Sequence, residues 1–388
     1  MPFYLTKYKI GNKYFSFATI FWVAICTLSI ISQVVRDTTH NNNYLIFINV
    51  FFHSIQKLNL FVAYPAYGDT NHYGPFFSLI IAPFALLPNT IGLFLWCMVN
   101  TFILLYAVKK LPVNDNSKNI ILLIGIVEML TTLHNVQFNP MATAWILFSY
   151  TLVKEKKDFW ATMFIAAGLL VKLYGIVGLA FFLFSDNKLK FVASFIFWMA
   201  LFFALPMLIS SPAFIIQSYT DWYQSLSEKN QINEGSVMQG MTATRVLQKV
   251  FHLTNLTNLA LIINGFLVYV CTLFRYKYFK NINFQLNYLA SLLIAVVIFS
   301  SSAESATFIF AMIGVGIWFV NQKEKTTLVI SLLIFAILIT SLSTTDLFPR
   351  FVKENYIRPY ALKALPCLFI WILLAYQLLF KKYDTLTS

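Results

Sequence analysis

Residues 158–184 read DFWATMFIAAGLLVKLYGIVGLAFFLF, an apolar run with one lysine, Lys172, near its middle. A bilayer-spanning helix needs about 20 apolar residues. Basic clusters flank the run, Lys154/Lys156/Lys157 before it and Lys188/Lys190 after it. Lys and Arg collect in cytoplasmic loops, so both flanks belong on the same side of a membrane. The run must leave and return. The reading is a hairpin of two short helices with Lys172 at its outer tip.

Working outward, further apolar runs fall at 14–35, 75–88, 90–109, 119–133, 139–153, 188–209, 257–274, 286–301, 304–320, 326–341 and 362–380. The basic clusters that separate them include Lys109/Lys110/Lys118, Arg275/Lys277/Lys280, Lys323/Lys325 and Lys381/Lys382. Placing these inside gives a cytoplasmic N-terminus and outer segments at 36–74, 134–138, 210–256, 302–303 and 342–361. Residues 75–110 must then cross an odd number of times, although Pro83 and Pro88 interrupt them. A short half-helix followed by a full span satisfies that parity. The first run, from Phe15, is too long for a signal h-region and reads as a retained span. The expected fold is all-α: a polytopic integral membrane helix bundle of about 11–13 membrane segments. It forms one domain over 1–388, with the loops 36–74 and 210–256 contributing to the active site.

Composition supports this. The chain is 59% hydrophobic and 11% charged, with a mean hydropathy of +0.71. Soluble domains carry about 25% charged residues, so a water-soluble globule is excluded. Forty Phe, 20 Tyr and 8 Trp exclude disorder. The net charge of +13 sits in short clusters between apolar runs, which fits membrane topology and not nucleic-acid binding. The four cysteines show neither CxxC nor zinc-ligand spacing. No phosphate loop, dinucleotide fingerprint or metalloprotease helix is present.

Candidate functional residues lie in the outer segments. Residues 43–56 have helical periodicity, with Leu45, Ile46, Ile48, Phe52 and Ile55 marking the apolar face of an interfacial helix. A turn-rich stretch, Tyr64 to Pro75, follows and carries Asp69, His72 and Tyr73. A carboxylate at a membrane boundary can serve as a general base; Asp69 is the first choice, Asp37 the second. In the turn at 134–140, Gln137 and Asn139 offer amides to a hydroxylated ligand. An intramembrane Lys marks a functional site by default, and the Lys172 ammonium suits a phosphate. Arg245 suits an anion. Glu304, at a span's outer start, suits N-terminal capping, with ligand contact as the other reading. Arg350 belongs to a basic loop that suits a lipid phosphate.

The order of these pieces resembles glycosyltransferase family 87, polyprenyl-phosphate-mannose-dependent mannosyltransferases of the GT-C superfamily. The similarity runs over residues 14–320. It rests on Asn43 to Phe47 with the following helix, on Tyr73-Gly-Pro75, on Val136-Gln137-Phe138-Asn139 beside the family's G-Q-x-N, on Lys172-Leu173 beside its Lys-Pro, and on Gly235 through Arg245. Where the family has a first-loop Asp, this chain has Asn43, which cannot act as a base.

The resemblance implies transfer of a hexose, mannose in most relatives, from a polyprenyl-phosphate sugar to a glycan or lipid-linked acceptor. It places the protein in the cell (inner) membrane among lipids, with the active site facing outward. Asn43, Tyr44, His72, Tyr73, Gln137, Asn139, Lys172, Arg245, Glu304 and Arg350 are then substrate-binding. No cofactor is expected; a divalent metal is not required, though Mg²⁺ held by carboxylates is compatible with the charge set. A lipid-binding or flipping protein without transfer, and a secondary transporter, are the rival readings.

Overall fold

A computed structural model describes residues 6–35, 41–235 and 240–384. Apart from a two-stranded hairpin, β1 (Lys7–Ile10) with β2 (Lys13–Ser16), its regular structure is helical. The chain forms two compact units. Residues 21–112 and 132–229 make one, the Lys172 unit; residues 1–20, 113–131 and 230–388 make the other, the Lys363 unit.

Among the described residues, six helical segments are long and apolar enough to cross a membrane. They are α1 (Phe17–Val35), α4 (Asn89–Lys110), α5 (Asp115–His134), Lys188–Leu208, Asn258–Tyr278 and Leu362–Phe380. Four shorter apolar helices accompany them: Tyr174–Phe184, Ile282–Ile298, Ser305–Asn321 and Thr327–Leu342. The protein is therefore an all-α polytopic membrane bundle.

In the Lys172 unit, α2 (Asn42–Gln56) packs on α3 (Phe77–Ala85), α3 on α4, and α4 on α6 (Asn139–Lys154). Then α6 packs on α7 (Asp158–Lys172), and α7 on α8 (Lys188–Ala204). The interrupted stretch resolves as expected. Pro83 lies in the nine-residue α3, and Pro88 sets the start of α4, where its missing N–H costs nothing. Helix α2 forms, and its buried face is wider than the one read from the sequence. Of the residues expected on the apolar face, Ile46 and Ile48 are buried, Leu45 and Phe52 are half-buried and Ile55 is 46% exposed. Tyr44, Phe47, Val50, Phe51 and Ser54 are buried as well, with Phe47 packed edge-on against Phe77 of α3 and Trp96 of α4.

The opening stretch folds as a hairpin. Helix α7 ends at Lys172, Leu173 takes φ +56, and a 3₁₀ helix, Tyr174–Phe184, returns along α7. The two arms touch at Gly168 and Gly175. A Cβ on Gly175 would come within 2.5 Å of the Gly168 carbonyl carbon, so this crossing requires glycine.

The loop at 210–256 holds a helix that the sequence reading left out, α9 (Pro212–Gly235), followed by α10 (Ala243–Lys249). In the Lys363 unit the following elements are α11 (Asn258–Cys271), α12 (Ile282–Ile298), α13 (Phe308–Asn321) and α14 (Thr327–Phe335), then one turn, α15 (Arg350–Val352), and α16 (Leu365–Phe380). Helices α12, α13 and α16 pack on one another and form its core. Thr257, Asn281 and Thr326 cap α11, α12 and α14 by accepting from a backbone N–H three residues on.

Candidate functional site

The Lys172 hairpin tip gathers the polar residues of three segments. Lys172 Nζ donates to Asn139 Oδ1 at 2.7 Å. Asn139 is fully buried at the start of α6, where Pro140 occupies the first turn. The ammonium also lies 5.3 Å from the ring centroids of both Tyr73 and Tyr174, within cation–π range. The Tyr73 hydroxyl donates to Gln137 Oε1 at 3.2 Å. Tyr73, Gln137, Asn139 and Lys172, chosen separately from the sequence, thus form one connected cluster.

The backbone of residues 71–74 is held firmly. Asn71 makes reciprocal bonds with Tyr73, its Oδ1 accepting from the Tyr73 N–H and its Nδ2 donating to the Tyr73 carbonyl, each at 2.9 Å. The Gly74 N–H donates to the Val171 carbonyl at 3.0 Å. A Cβ on Gly74 would sit 2.1 Å from the Leu170 carbonyl oxygen, so only glycine lets this loop lie against the end of α7. Trp222 Nε1 donates to the His72 carbonyl at 2.9 Å, tying α9 to the same loop.

His72 is bracketed by Ser225 Oγ at 3.2 Å and Thr70 Oγ1 at 3.4 Å. Burial, reinforced by the Lys229 charge, pushes its imidazole down to about 4; Asp69 opposes this and Lys172 adds to it. His72 is therefore a neutral hydrogen-bonding group at physiological pH. Asp69 is exposed, and its Oδ1 accepts from the Thr70 N–H at 2.8 Å. Asn43 Nδ2 donates to the Asn135 carbonyl at 2.8 Å, which joins the first-loop helix to the Gln137 turn. Tyr44 goes elsewhere: it is fully buried in the core of α2 and its hydroxyl donates to the Phe84 carbonyl. Asp37 lies outside the described residues.

The sequence model of glycosyltransferase family 87 matches residues 71–342. This chain belongs to glycosyltransferase family 87. No curated protein gives a significant match. The family-87 match begins at Asn71, inside the structured loop, so Asn43 and Asp69 precede it. Its range includes the whole Tyr73–Gln137–Asn139–Lys172 cluster. Two positions that the resemblance set beside family motifs have unusual backbone. Val136, at the glycine of G-Q-x-N, has φ +52, and Leu173, at the proline of Lys-Pro, has φ +56. Both are left-handed conformations that a branched or bulky side chain adopts only under strain.

The remaining sequence candidates lie in the Lys363 unit. Glu304 caps the turn Ser305–Thr307, in a reciprocal box with Thr307. Arg350 pairs with Glu354 at 2.6 Å on an exposed single turn. Arg245 lines a polar pocket.

Sequence reasoning overlooked one pair. Lys363, at the start of the last apolar run, is fully buried and pairs at 2.9 Å with Glu128, itself fully buried in α5. Its Nζ also donates to Ser305 Oγ at 2.8 Å. The available signal was Glu128 itself: an acid within a span requires a partner, and Lys363 opens the segment leading into α16.

Proposed function

We propose that this membrane glycosyltransferase transfers a hexose, mannose by likeness to its family, from a polyprenyl-phosphate donor to a hydroxyl of a glycan or lipid-linked acceptor at the outer face of the cell (inner) membrane. The observation that carries the reading is the Lys172 ammonium held at a hairpin tip by Asn139 and framed by Tyr73 and Tyr174.

In this mechanism Asp69 takes the acceptor hydroxyl proton. The acceptor oxygen attacks the anomeric carbon as the bond from that carbon to the phosphate oxygen breaks, and the electron pair leaves with the lipid phosphate. Lys172 stabilises that leaving charge, which grows toward the transition state and so counts toward rate. A single displacement inverts the anomeric centre. Gln137 and neutral His72 orient sugar hydroxyls in this reading. The step routes no charge through a metal.

The test is transfer of label from radiolabelled polyprenyl-phosphate-mannose to membrane extract by the purified protein in lipid. Wild type makes product and Asp69→Asn makes none. Product from Asp69→Asn removes Asp69 from the role and leaves Asp37 or Glu304 to be tried. Donor binding without transfer by wild type overturns the enzyme reading in favour of a lipid-handling protein, as Asn43 in place of the family's Asp would then explain.

A further inference from the structure

The Lys363 unit contains a pocket of ≈ 330 Å³ between α10 and the start of α11. Of its eleven lining residues nine have polar side chains, one of them cationic and none acidic. Arg245 supplies the charge; Thr242, Thr254, Thr257 and Ser301 supply hydroxyls, and Asn255 an amide. The walls are braced internally. Thr244 Oγ1 donates to Asn258 Oδ1 at 2.8 Å, and Gln248 Nε2 donates to the Leu256 carbonyl at 2.7 Å. A preformed polar cavity of this size suits a small ligand group, and its charge selects an anion.

The pocket also has a direction. Thr257 and Asn258 form both its wall and the beginning of the membrane span Asn258–Tyr278, the least buried of the six, with 11% of its apolar window covered. Leu259, Ile263 and Phe266 follow on one helical face and are 65%, 50% and 64% exposed. A polar, cationic cavity that continues into a bare apolar helix face matches an amphiphile: a charged, hydroxyl-bearing head joined to hydrocarbon chains.

We propose that this pocket binds the headgroup of an anionic phospholipid. The phosphate diester meets Arg245, the headgroup hydroxyls meet the threonines and Asn255, and the acyl chains lie along Leu259, Ile263 and Phe266. Arg245 is then a phospholipid ligand in place of the substrate-binding role that the family resemblance implied for it, and the test uses no sugar donor.

The experiment measures retention of phosphatidylglycerol by the full chain in neutral detergent, by native mass spectrometry, with phosphatidylcholine and free glycerol phosphate as comparison probes. Wild type retains phosphatidylglycerol in preference to phosphatidylcholine, and free glycerol phosphate competes poorly. Arg245→Gln weakens retention about tenfold or more, the scale of one charge-assisted hydrogen bond. Asn255→Ala, in an exposed part of the wall, weakens it about threefold, the scale of a neutral one, and serves if Arg245→Gln fails to fold. Lys249→Gln, an exposed cation on the same helix but outside the pocket lining, leaves it unchanged. Equal retention of the two lipids, equal loss in Lys249→Gln, or full competition by glycerol phosphate overturns the proposal.

Discussion

Two lysines sit at the ends of apolar helices in this protein, and their surroundings differ. Lys363 is fully buried, and a fully buried carboxylate, Glu128, answers its charge. Lys172 is half-buried, and its hydrogen bond goes to a neutral amide while two tyrosine rings frame it. A buried, compensated charge fixes structure. Proposed as the anion site, Lys172 is only half-buried and sits at a hairpin tip. That difference in burial is the physical ground on which a structural role is proposed for Lys363 and a functional one for Lys172.

The most direct way to break the comparison is to remove Lys363. Lys363→Met leaves Glu128 buried without its counter-charge, and removing one partner of such a pair costs about 3–5 kcal/mol. The unfolding midpoint in detergent should fall steeply. The double variant Glu128→Leu/Lys363→Met should recover most of that loss, because an apolar pair carries no desolvation penalty. A single variant as stable as wild type would show that the pair is not structural.

Lys172→Met should behave oppositely. Transfer should fall by about 10²–10³, the range for deleting one transition-state donor, while the unfolding midpoint stays close to that of wild type. Lys172→Arg should restore part of the rate, since it keeps the charge but not the compact ammonium. Normal transfer by Lys172→Met would remove it from the mechanism.

His72 tests the electrostatics around Lys172. Its folded value of about 4 lies below the ordinary value of 6.5. Above pH 6.5 both states hold a neutral imidazole and its contribution is complete. Between pH 6.5 and 4 the unfolded chain takes up a proton that the folded chain refuses, so stability declines with falling pH, by about 3 kcal/mol in all. His72→Gln should remove that part of the slope in unfolding midpoint against pH. An unchanged slope would mean that the loop does not hold the ring desolvated.

Much of this was legible in the sequence because it depends on chain-local physics. Run lengths and basic clusters predicted the half-helix before Pro88 and the hairpin at Lys172. Residue chemistry selected Gln137, Asn139 and Lys172, and the family resemblance added Tyr73. Their connection was not legible, since it depends on Gly74 lying against the end of α7, a contact between segments about 100 residues apart. The Glu128–Lys363 pair was hidden for the same reason: 235 positions separate its members. Tyr44 misled because tyrosine suits both a sugar and a core, and only packing shows which.

The smallest effect concerns the turn that presents Lys172. Leu173 has φ +56, is 42% exposed, and its N–H donates to the Leu169 carbonyl at 3.2 Å. Glycine takes this left-handed position without the Cβ clash, which costs an L-residue about 1–2 kcal/mol. Part of that gain is offset by the extra freedom glycine has when unfolded. Leu173→Gly should therefore stabilise the protein by about 0.5–1 kcal/mol, read from the unfolding midpoint, with transfer retained. The resemblance sets this position beside a proline, but a proline ring fixes φ near −65° and removes the N–H. Leu173→Pro should destabilise the hairpin and lower transfer together, because Lys172 loses the turn that aims it. A Leu173→Pro variant with wild-type stability would show that the turn has a second conformation compatible with the family's residue, and that the strain at Leu173 is not what holds the ammonium in place.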